Sequence, residues 1–465
     1  MKISYTICVS LVCVLIVSSN LQAQVSVAAS SPASSAAPAA AAPSGTAPAA
    51  QNKRASDYLN EELPHWLRLS GEYRIRGESV GGIGFKADND DSYALSRLRI
   101  NLGILPTPWL KFQVQGQDAE LFGRNPIKPD APPYEDAFNL RQAYVEAGSV
   151  ESSRFGLRVG RQELYFGEQR LIGHLNWVND ARSFDAVRAS YRTKDYRVDV
   201  FAASVVNFHD GAFNDRRMDG NNLHGIYSSF TKLVPKATIE PYLLWRVSRG
   251  VKSKSGVLGN QDFKTIGVRW VGKLPSNFDY GTEVAGQTGS FSTDEIRAFA
   301  GHAIVGYTLP KVKETPRFFA EFNYASGDRN AASGRRGTFD QLYPTGHDKI
   351  GLADQVGWKN VEDARTGVEL KPTKKLAAAS SYHMFWLASS HDGLYNAAGT
   401  LVAKVANGSA GRYIGQEADL QGTYALNSQV QLGAGYAHLF PGTFLQKATP
   451  GKHYNLTYVQ VTYLF

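Results

Sequence analysis

The sequence predicts an all-β protein: a transmembrane, antiparallel, up-and-down β-barrel of eighteen strands with both termini periplasmic. Three observations predict it. Segments of about ten residues alternate polar and apolar side chains along most of the chain. The connections between them alternate short and long. The chain closes with HYNLTYVQVTYLF, in which Val459, Val461, Tyr463 and Phe465 alternate with Gln460, Thr462 and Leu464, and Phe465 is the last residue.

The N-terminal region is read first because it is excluded from the fold. Lys2 precedes the apolar run ICVSLVCVLIVSS (7–19), and Ala23 offers a small residue for cleavage, so residues 1–23 read as a secretory signal peptide. Val12 before Cys13 argues against a lipoprotein signal. Cys8 and Cys13 both lie inside this segment, which leaves the mature chain with no disulfide, cysteine nucleophile or thiolate metal site. Residues 24–56 are Ala/Pro/Ser-rich, have no apolar face to bury, and read as a disordered spacer. Residues 57–465 form the barrel domain, without a second linker. Beyond the signal, no apolar run approaches the ~18–20 residues of a membrane helix, so any crossing must use strands.

Strand patterning is clearest early in the barrel. In WLRLSGEYRIRGE (66–78), Leu67, Leu69, Tyr73 and Ile75 oppose Arg68, Glu72, Arg74 and Arg76. In RLRINLGIL (97–105), Arg97, Arg99 and Asn101 oppose Leu98, Ile100, Leu102 and Ile104. The same period places the remaining strands near 109–118, 137–148, 154–162, 183–192, 196–206, 222–232 and 237–248. It continues through 262–271, 277–289, 296–308, 316–326, 363–371, 375–389, 413–425, 428–440 and 453–465. Short connections such as PTP (106–108), TKD (193–195) and PTK (372–374) alternate with longer Gly/Asn/Asp-rich loops, the longest at 327–362 and 390–412. Short periplasmic turns and long outer loops are the membrane-barrel arrangement, and an even strand number returns both termini to the periplasm. Lipid cannot hydrogen-bond a bare strand edge, so such a sheet must close. About 16–18 strands leave an aqueous bore. The 23 Tyr and 7 Trp supply interfacial girdles.

The charge pattern describes that bore. The chain carries +8, and removing Lys2 with the signal leaves +7. Arg68, Arg74, Arg76, Arg97, Arg99, Arg158, Arg188, Arg246, Arg269 and Arg365 sit opposite lipid-type residues. A charge facing the bilayer midplane costs ~2–4 kcal/mol, which turns these side chains inward. A ring of guanidinium groups favours anions and pairs with carboxylates bidentately. Glu72, Glu240, Glu283, Glu321, Glu369, Glu417 and Asp419 share the inward parity, so a lumen merely cross-braced by Arg–Glu pairs is the competing reading.

One stretch, GRQELYFGEQRLIGHLNWVNDARSFD (160–185), concentrates charge: Arg161, Glu163, Glu168, Arg170, His174, Asp180, Arg182 and Asp185. His174 with Glu168 or Asp180, and Ser183 as nucleophile, would suit a barrel enzyme. The spacing matches no catalytic motif, and the segment holds neither GxSxG nor HExxH. By strand count it is the end of the fifth strand, the third outer loop and the start of the sixth. Such a loop can fold inward, pinned by ion pairs and packed by Leu171, Ile172, Leu175 and Trp177. No cofactor or metal is expected, since GDRN (327–330) and ADND (87–90) lack the ligand spacing of a calcium loop.

NLRQAYVE (139–146), LRVGRQEL (157–164) and NWVNDARSFDAVR (176–188) resemble the alginate-export family of outer-membrane proteins, over roughly residues 66–465. The resemblance implies a monomeric eighteen-stranded channel in the outer membrane of a Gram-negative bacterium. Its lumen would be constricted, electropositive and gated by loops on both sides, and would pass an acidic polysaccharide. On the matching segments it implies Arg158, Arg161, Arg170, Arg182 and Asp185 as constriction residues, with Glu168 in the same loop; Arg74, Arg76, Arg97, Arg99, Arg188, Arg246, Arg269 and Arg365 rest on strand parity. Arg141 shares its parity with Ala143 and Val145 and so conflicts with an inward position. The expected partners are lipid, lipopolysaccharide, an anionic polysaccharide or other anionic solute, and periplasmic export components; nucleic acid is not among them. The competing function is a general or small-solute porin.

Overall fold

The computed structural model describes residues 53–125, 134–209, 211–330 and 332–465. The expected signal peptide (1–23) and the part of the expected spacer before residue 53 lie outside the described residues. The barrel opens with β1 (Leu67–Gly81), β2 (Asp91–Thr107), β3 (Leu110–Phe122), β4 (Asp136–Ala147), β5 (Phe155–Gln162) and β6 (Phe184–Arg192). It continues with β7 (Tyr196–Asn207), β8 (Arg216–Phe230), β9 (Ala237–Lys252), β10 (Leu258–Lys273), β11 (Phe278–Phe291) and β12 (Asp294–Thr308). It ends with β13 (Arg317–Ala325), β14 (Val361–Leu370), β15 (Leu376–Leu387), β16 (Tyr413–Ala425), β17 (Val430–Pro441) and β18 (Tyr454–Leu464). Each pairs antiparallel with its chain neighbours, as in β3 with β4 and β13 with β14. β18 returns to pair with β1, so the eighteen-stranded sheet has no free edge.

The period-two sequence produces two faces of opposite chemistry. On β1, Tyr73 and Ile75 are 41% and 42% exposed on the outer wall, while Arg74 and Arg76, between and beside them, are 4% and 2% exposed inside. The outer belt continues through exposed Ile100, Val114, Val159, Val200, Ile266, Val284, Phe299, Phe322 and Val461. Aromatic contacts such as Phe155–Tyr191 and Phe278–Tyr307 (ring centroids 4.8 and 4.7 Å) ring the end that carries the short turns.

The closing seam, paired from Glu72↔Leu464 to Gly81↔Asn455, ends at a glycine. Gly71 N donates to Phe465 O at 2.7 Å and Phe465 N to Gly71 O at 3.0 Å. A Cβ on Gly71 would sit 2.2 Å from the Phe465 ring, so the terminal aromatic lies across the space that a side chain would occupy. Both described chain ends sit at the short-turn end. There α1 (Ala55–Glu62) precedes β1 and is tied to it by Asn60, whose amide exchanges two 2.8 Å hydrogen bonds with the Leu69 backbone. The helix starts at Ala55, so the last two residues of the expected spacer, Ala55 and Ser56, belong to ordered structure.

Two features differ from the sequence reading. The connections at 253–257 and 292–293 are short although they lie at the long-loop end, because β9–β10 and β11–β12 keep pairing to Lys252↔Leu258 and Phe291↔Asp294. In addition, Arg141 faces inward. The β3–β4 register passes from Gln115↔Gln142 to Gly116↔Leu140, which leaves Arg141 as an extra, bulged residue and breaks the parity count.

Gly71→Leu should lower the temperature at which the folded band of the purified protein converts to the unfolded band in a heat-modifiability gel. Gly77→Ala, whose Cβ would meet only Val459 at 3.7 Å, should leave that temperature unchanged.

Candidate functional site

The connection from β5 to β6, residues 163–183, turns into the barrel. Phe166 N bonds Ile172 O at 3.2 Å and Gln169 N bonds Phe166 O at 2.9 Å, which makes it a compact loop with satisfied backbone. The connection from β13 to β14, residues 326–360, meets it there. Tyr343 N donates to Leu171 O and Gly173 N to Tyr343 O, at 2.9 and 2.8 Å, and Ile172 and Tyr343 form a parallel bridge. Gly173 is required at this crossing, since a Cβ would lie 2.2 Å from Thr345 Oγ1. Leu164, Leu171 and Ile172 from the first loop and Phe339, Ile350, Leu352, Val356 and Trp358 from the second are buried with inward wall residues Phe201, Leu223 and Phe263. The hydrophobic core of this protein therefore lies inside the barrel, where loop side chains pack against inward-facing strand residues.

Arginines on β1 and β2 meet the first loop. Arg74 and Arg97 are direct cross-strand partners, an arrangement that like charges alone would destabilise. The loop supplies the compensation. Asn176 O accepts from Arg74 Nη1 (3.1 Å) and Arg97 Nη1 (3.0 Å), and Val178 O accepts from both side chains at 3.2 Å. Arg76 donates to Trp177 O at 2.6 Å and lies 3.8 Å from the Trp177 ring, which also stacks on His347 at 3.6 Å and meets the Tyr458 ring edge-on at 4.8 Å. Arg99 bonds Gln117 Oε1 and Asn176 Oδ1, each at 2.7 Å. Arg141 bonds Gln115 and Glu163. The cluster thus holds five guanidinium groups, and the carboxylates paired with them are Glu72, Glu78 and Glu163. Main-chain carbonyls take much of the remaining donor capacity. Among the described residues, the buried Arg74 Nε, Arg97 Nε and Arg99 Nη2 find no hydrogen-bond acceptor.

The opposite wall is balanced differently. Arg170 contacts Glu321, Glu168 (3.4 Å) and Asn323 (3.0 Å). Arg269 pairs with Glu240 at 2.7 Å and Glu168 at 3.1 Å, and Arg365 with Glu321 at 3.2 Å. Tyr242 Oη donates to Glu283 at 2.8 Å, so three arginines here face four carboxylates. This wall braces the loop.

The remaining sequence-selected residues are distributed around these two groups. Arg158 pairs with Glu146 at 2.7 Å and lies 4.4 Å from the Tyr144 ring. Arg161 binds Asp185 with two nitrogens, at 2.8 and 3.2 Å. Arg188 is held between Asp199 (2.9 Å) and Glu151 (3.0 Å), and Arg246 grips both oxygens of Asp340. Among the described residues Arg182 makes no ion pair; its Nη1 donates to Gly173 O and Pro344 O at 3.2 and 3.0 Å. Burial pushes its guanidinium down to about 10, and it stays charged at neutral pH. Arg141 is the member that sequence parity missed. Its signal was the parity conflict itself, since an arginine apparently aimed at lipid marks a bulge.

The enzyme arrangement does not assemble. His174 packs edge-on against the Tyr165 ring at 5.3 Å, and among the described residues no hydrogen bond joins it to Ser183, Glu168 or Asp180.

A closed barrel with an apolar outer wall, an ion-paired interior and two loops folded into its bore is an outer-membrane channel. The chain belongs to the alginate export family, whose profile matches residues 65–459. The fold is also that of Pseudomonas aeruginosa OccD3 (OpdP), at TM-score 0.55 and 11% identity over 85% of this chain and 91% of that one. P. aeruginosa OpdK with vanillate matches at TM-score 0.57 and 9% identity over 85% and 98% of the two chains. OccK8 (OprE) of the same organism matches at 0.56 and 11% over 86% and 98%. No curated protein matches the sequence. Family and fold together place the protein in the outer membrane of a Gram-negative bacterium.

Two predictions follow from the loop crossing. Gly173→Val should separate residues 163–183 from 342–345, raising single-channel conductance and protease cleavage within 163–183 while the barrel stays folded. Acid should loosen the same loop. Burial would raise the Glu163 carboxyl, but Arg141 and His174 beside it hold it down to about 2. A lowered folded-state value means that the stabilisation from Glu163 is complete above the unfolded carboxyl value of about 4.3. It declines as pH falls from there and is gone below about 2. Current noise should therefore be constant from pH 7 to 5 and rise by pH 3.

Proposed function

We propose that this outer-membrane channel favours anions and passes carboxylate-bearing solutes, with single acids and short acidic sugars fitting the bore better than a long polymer. The observation that carries the reading is the Arg74–Arg97 pair, compensated by the carbonyls of Asn176 and Val178. A carboxylate is a stronger acceptor for guanidinium than a neutral carbonyl. A solute carboxylate entering beside the loop can replace those carbonyls and engage the donors of Arg74, Arg97 and Arg99 that have no acceptor. Arg182, without an acidic partner, extends the same path. The paired residues Arg158, Arg161, Glu168, Arg170, Asp185, Arg188, Arg246, Arg269 and Arg365 line the bore and hold its shape.

Size argues for small solutes. The loops 163–183 and 326–360 pack into the bore through a buried apolar core, and a polyuronate would have to displace that core along its length. Membership in the alginate export family favours the second reading, export of an acidic polysaccharide. In either case residues 1–23 direct export, the short turns and both chain ends face the periplasm, and the chain acts as a monomer among lipid and lipopolysaccharide. Periplasmic export components would be partners under the polymer reading.

Planar-bilayer recording tests the proposal. The wild type should give an anion-selective reversal potential in a salt gradient, and monomeric glucuronate should reduce the chloride current. Arg74→Glu and Arg182→Glu should each shift the reversal potential toward the cation value. Cation-selective wild-type current indifferent to glucuronate would refute the reading; block by polyuronate but not by glucuronate would favour the polymer.

A further inference from the structure

Three acidic residues from distant parts of the sequence meet beside the first inward loop. Asp136 opens β4, Asp180 lies near the end of the 163–183 loop, and Asp215 ends the connection from β7 to β8. One carboxylate oxygen from each falls within 4.8 Å of the other two. Each side chain is also oriented by a donor. Gln117 Nε2 holds Asp180 Oδ1 at 2.7 Å, Asn139 Nδ2 holds Asp136 Oδ1 at 2.7 Å, and the His209 amide holds Asp215 Oδ1 at 2.8 Å.

The second observation comes from Asp180 alone. This residue is 3% exposed, and among the described residues its buried Oδ2 has no hydrogen-bond partner and it forms no ion pair. Of the bases near the cluster, Arg161 gives its pairing to Asp185 and touches Asp215 only through the Asp215 backbone carbonyl at 3.3 Å, Arg141 pairs with Glu163, and Arg99 bonds Gln117 and Asn176. An ionised carboxylate buried beside two further carboxylates is strongly unfavourable unless a proton is taken up or a cation lies among them.

We propose that Asp136, Asp180 and Asp215 bind a calcium ion. Oxygens on opposite sides of one Ca²⁺ are separated by up to about 4.8 Å, twice a typical Ca–O distance of about 2.4 Å. The donors are hard carboxylate oxygens without imidazole or thiolate, which disfavours zinc and copper. They come from three separate segments, an irregular set that suits the adaptable coordination of Ca²⁺ better than the near-octahedral demand of Mg²⁺.

The ion would fasten the constriction. Asp180 follows Asn179, whose side chain accepts from Arg74 (3.2 Å) and donates to Ser96 O, Glu120 O and Tyr134 O. It also precedes Arg182 by two residues. A cation at the three aspartates thus anchors the end of the loop whose carbonyls cover Arg74 and Arg97, tying it to β4 and to the segment before β8. This anchoring is independent of which solute the channel passes.

Calorimetry on the detergent-purified full chain, stripped with EGTA and titrated with CaCl₂, tests the site. The wild type should bind one Ca²⁺ per chain, and equal MgCl₂ should compete poorly. Asp180→Asn and Asp215→Asn should each weaken binding by about tenfold or more. Asp219→Asn, an exposed change outside the cluster, should leave binding at the wild-type level. Should Asp180→Asn fail to give a folded, heat-modifiable band, the half-buried Asp215→Asn carries the comparison. Absence of wild-type Ca²⁺ binding, or unchanged binding in the aspartate variants, would overturn the proposal. In bilayers, EGTA should increase wild-type flicker and have no effect on Asp215→Asn; equal flicker with and without calcium in the wild type would count against an anchoring role.

Discussion

A strand edge has no hydrogen-bonding partner in a lipid bilayer, and the whole molecule is arranged around that constraint. It forces β18 back onto β1 and makes the terminal Phe465–Gly71 contact the point where the ladder shuts. It also inverts the usual protein. Much of the strands' apolar surface faces the outer wall, and the strands turn Arg, Glu, Asp and His inward beside an interior apolar core. Those buried groups then need partners of their own, which only other inward residues or inward-folded loops can provide.

The loops solve that second problem in two chemically distinct ways. Against β10–β14, the 163–183 loop brings both Glu168 and Arg170, and the result is a network rich in carboxylates. Burial would raise the Glu168 carboxyl, but Arg170, His302 and Arg269 keep it well below the ordinary carboxylate range. Against β1 and β2 the same loop brings backbone carbonyls to a surplus of guanidinium groups. One side resembles a brace and the other a binding surface with a neutral occupant. Both arise from a single segment of about twenty residues, so a shift of that segment changes the fit on both walls at once.

The resulting interior is costly to perturb piecemeal. Removing one partner of a buried pair leaves an uncompensated charge, at about 3–5 kcal/mol. That magnitude makes the paired arginines, such as Arg188 between Asp199 and Glu151, poor candidates for groups that exchange partners with a passing solute. Arg74 and Arg182 lean on carbonyls, as does Nη1 of Arg97 while its Nη2 stays on Glu72, and under the proposed function these donors would give up less to an incoming carboxylate.

Strand number, strand placement and the two-faced wall were legible in the sequence, because a strand's side-chain period is local: neighbours two residues apart share a face wherever the strand lies. The packing role of Leu171, Ile172 and Trp177 was legible for a similar reason, as apolar residues in a loop beside a polar bore have few other places to go. Arg141 was not, because a bulge is a property of two strands in register and appears in one strand only as a broken pattern. Nor was the division of the arginines, since Arg74 acquires Asn176 and Val178, and Arg170 acquires Glu321, across separations of more than a hundred residues. The meeting of Asp136, Asp180 and Asp215 has the same origin. Periodicity decides which way a side chain points; only closure of the barrel and the fall of its loops into the bore decide what it meets there.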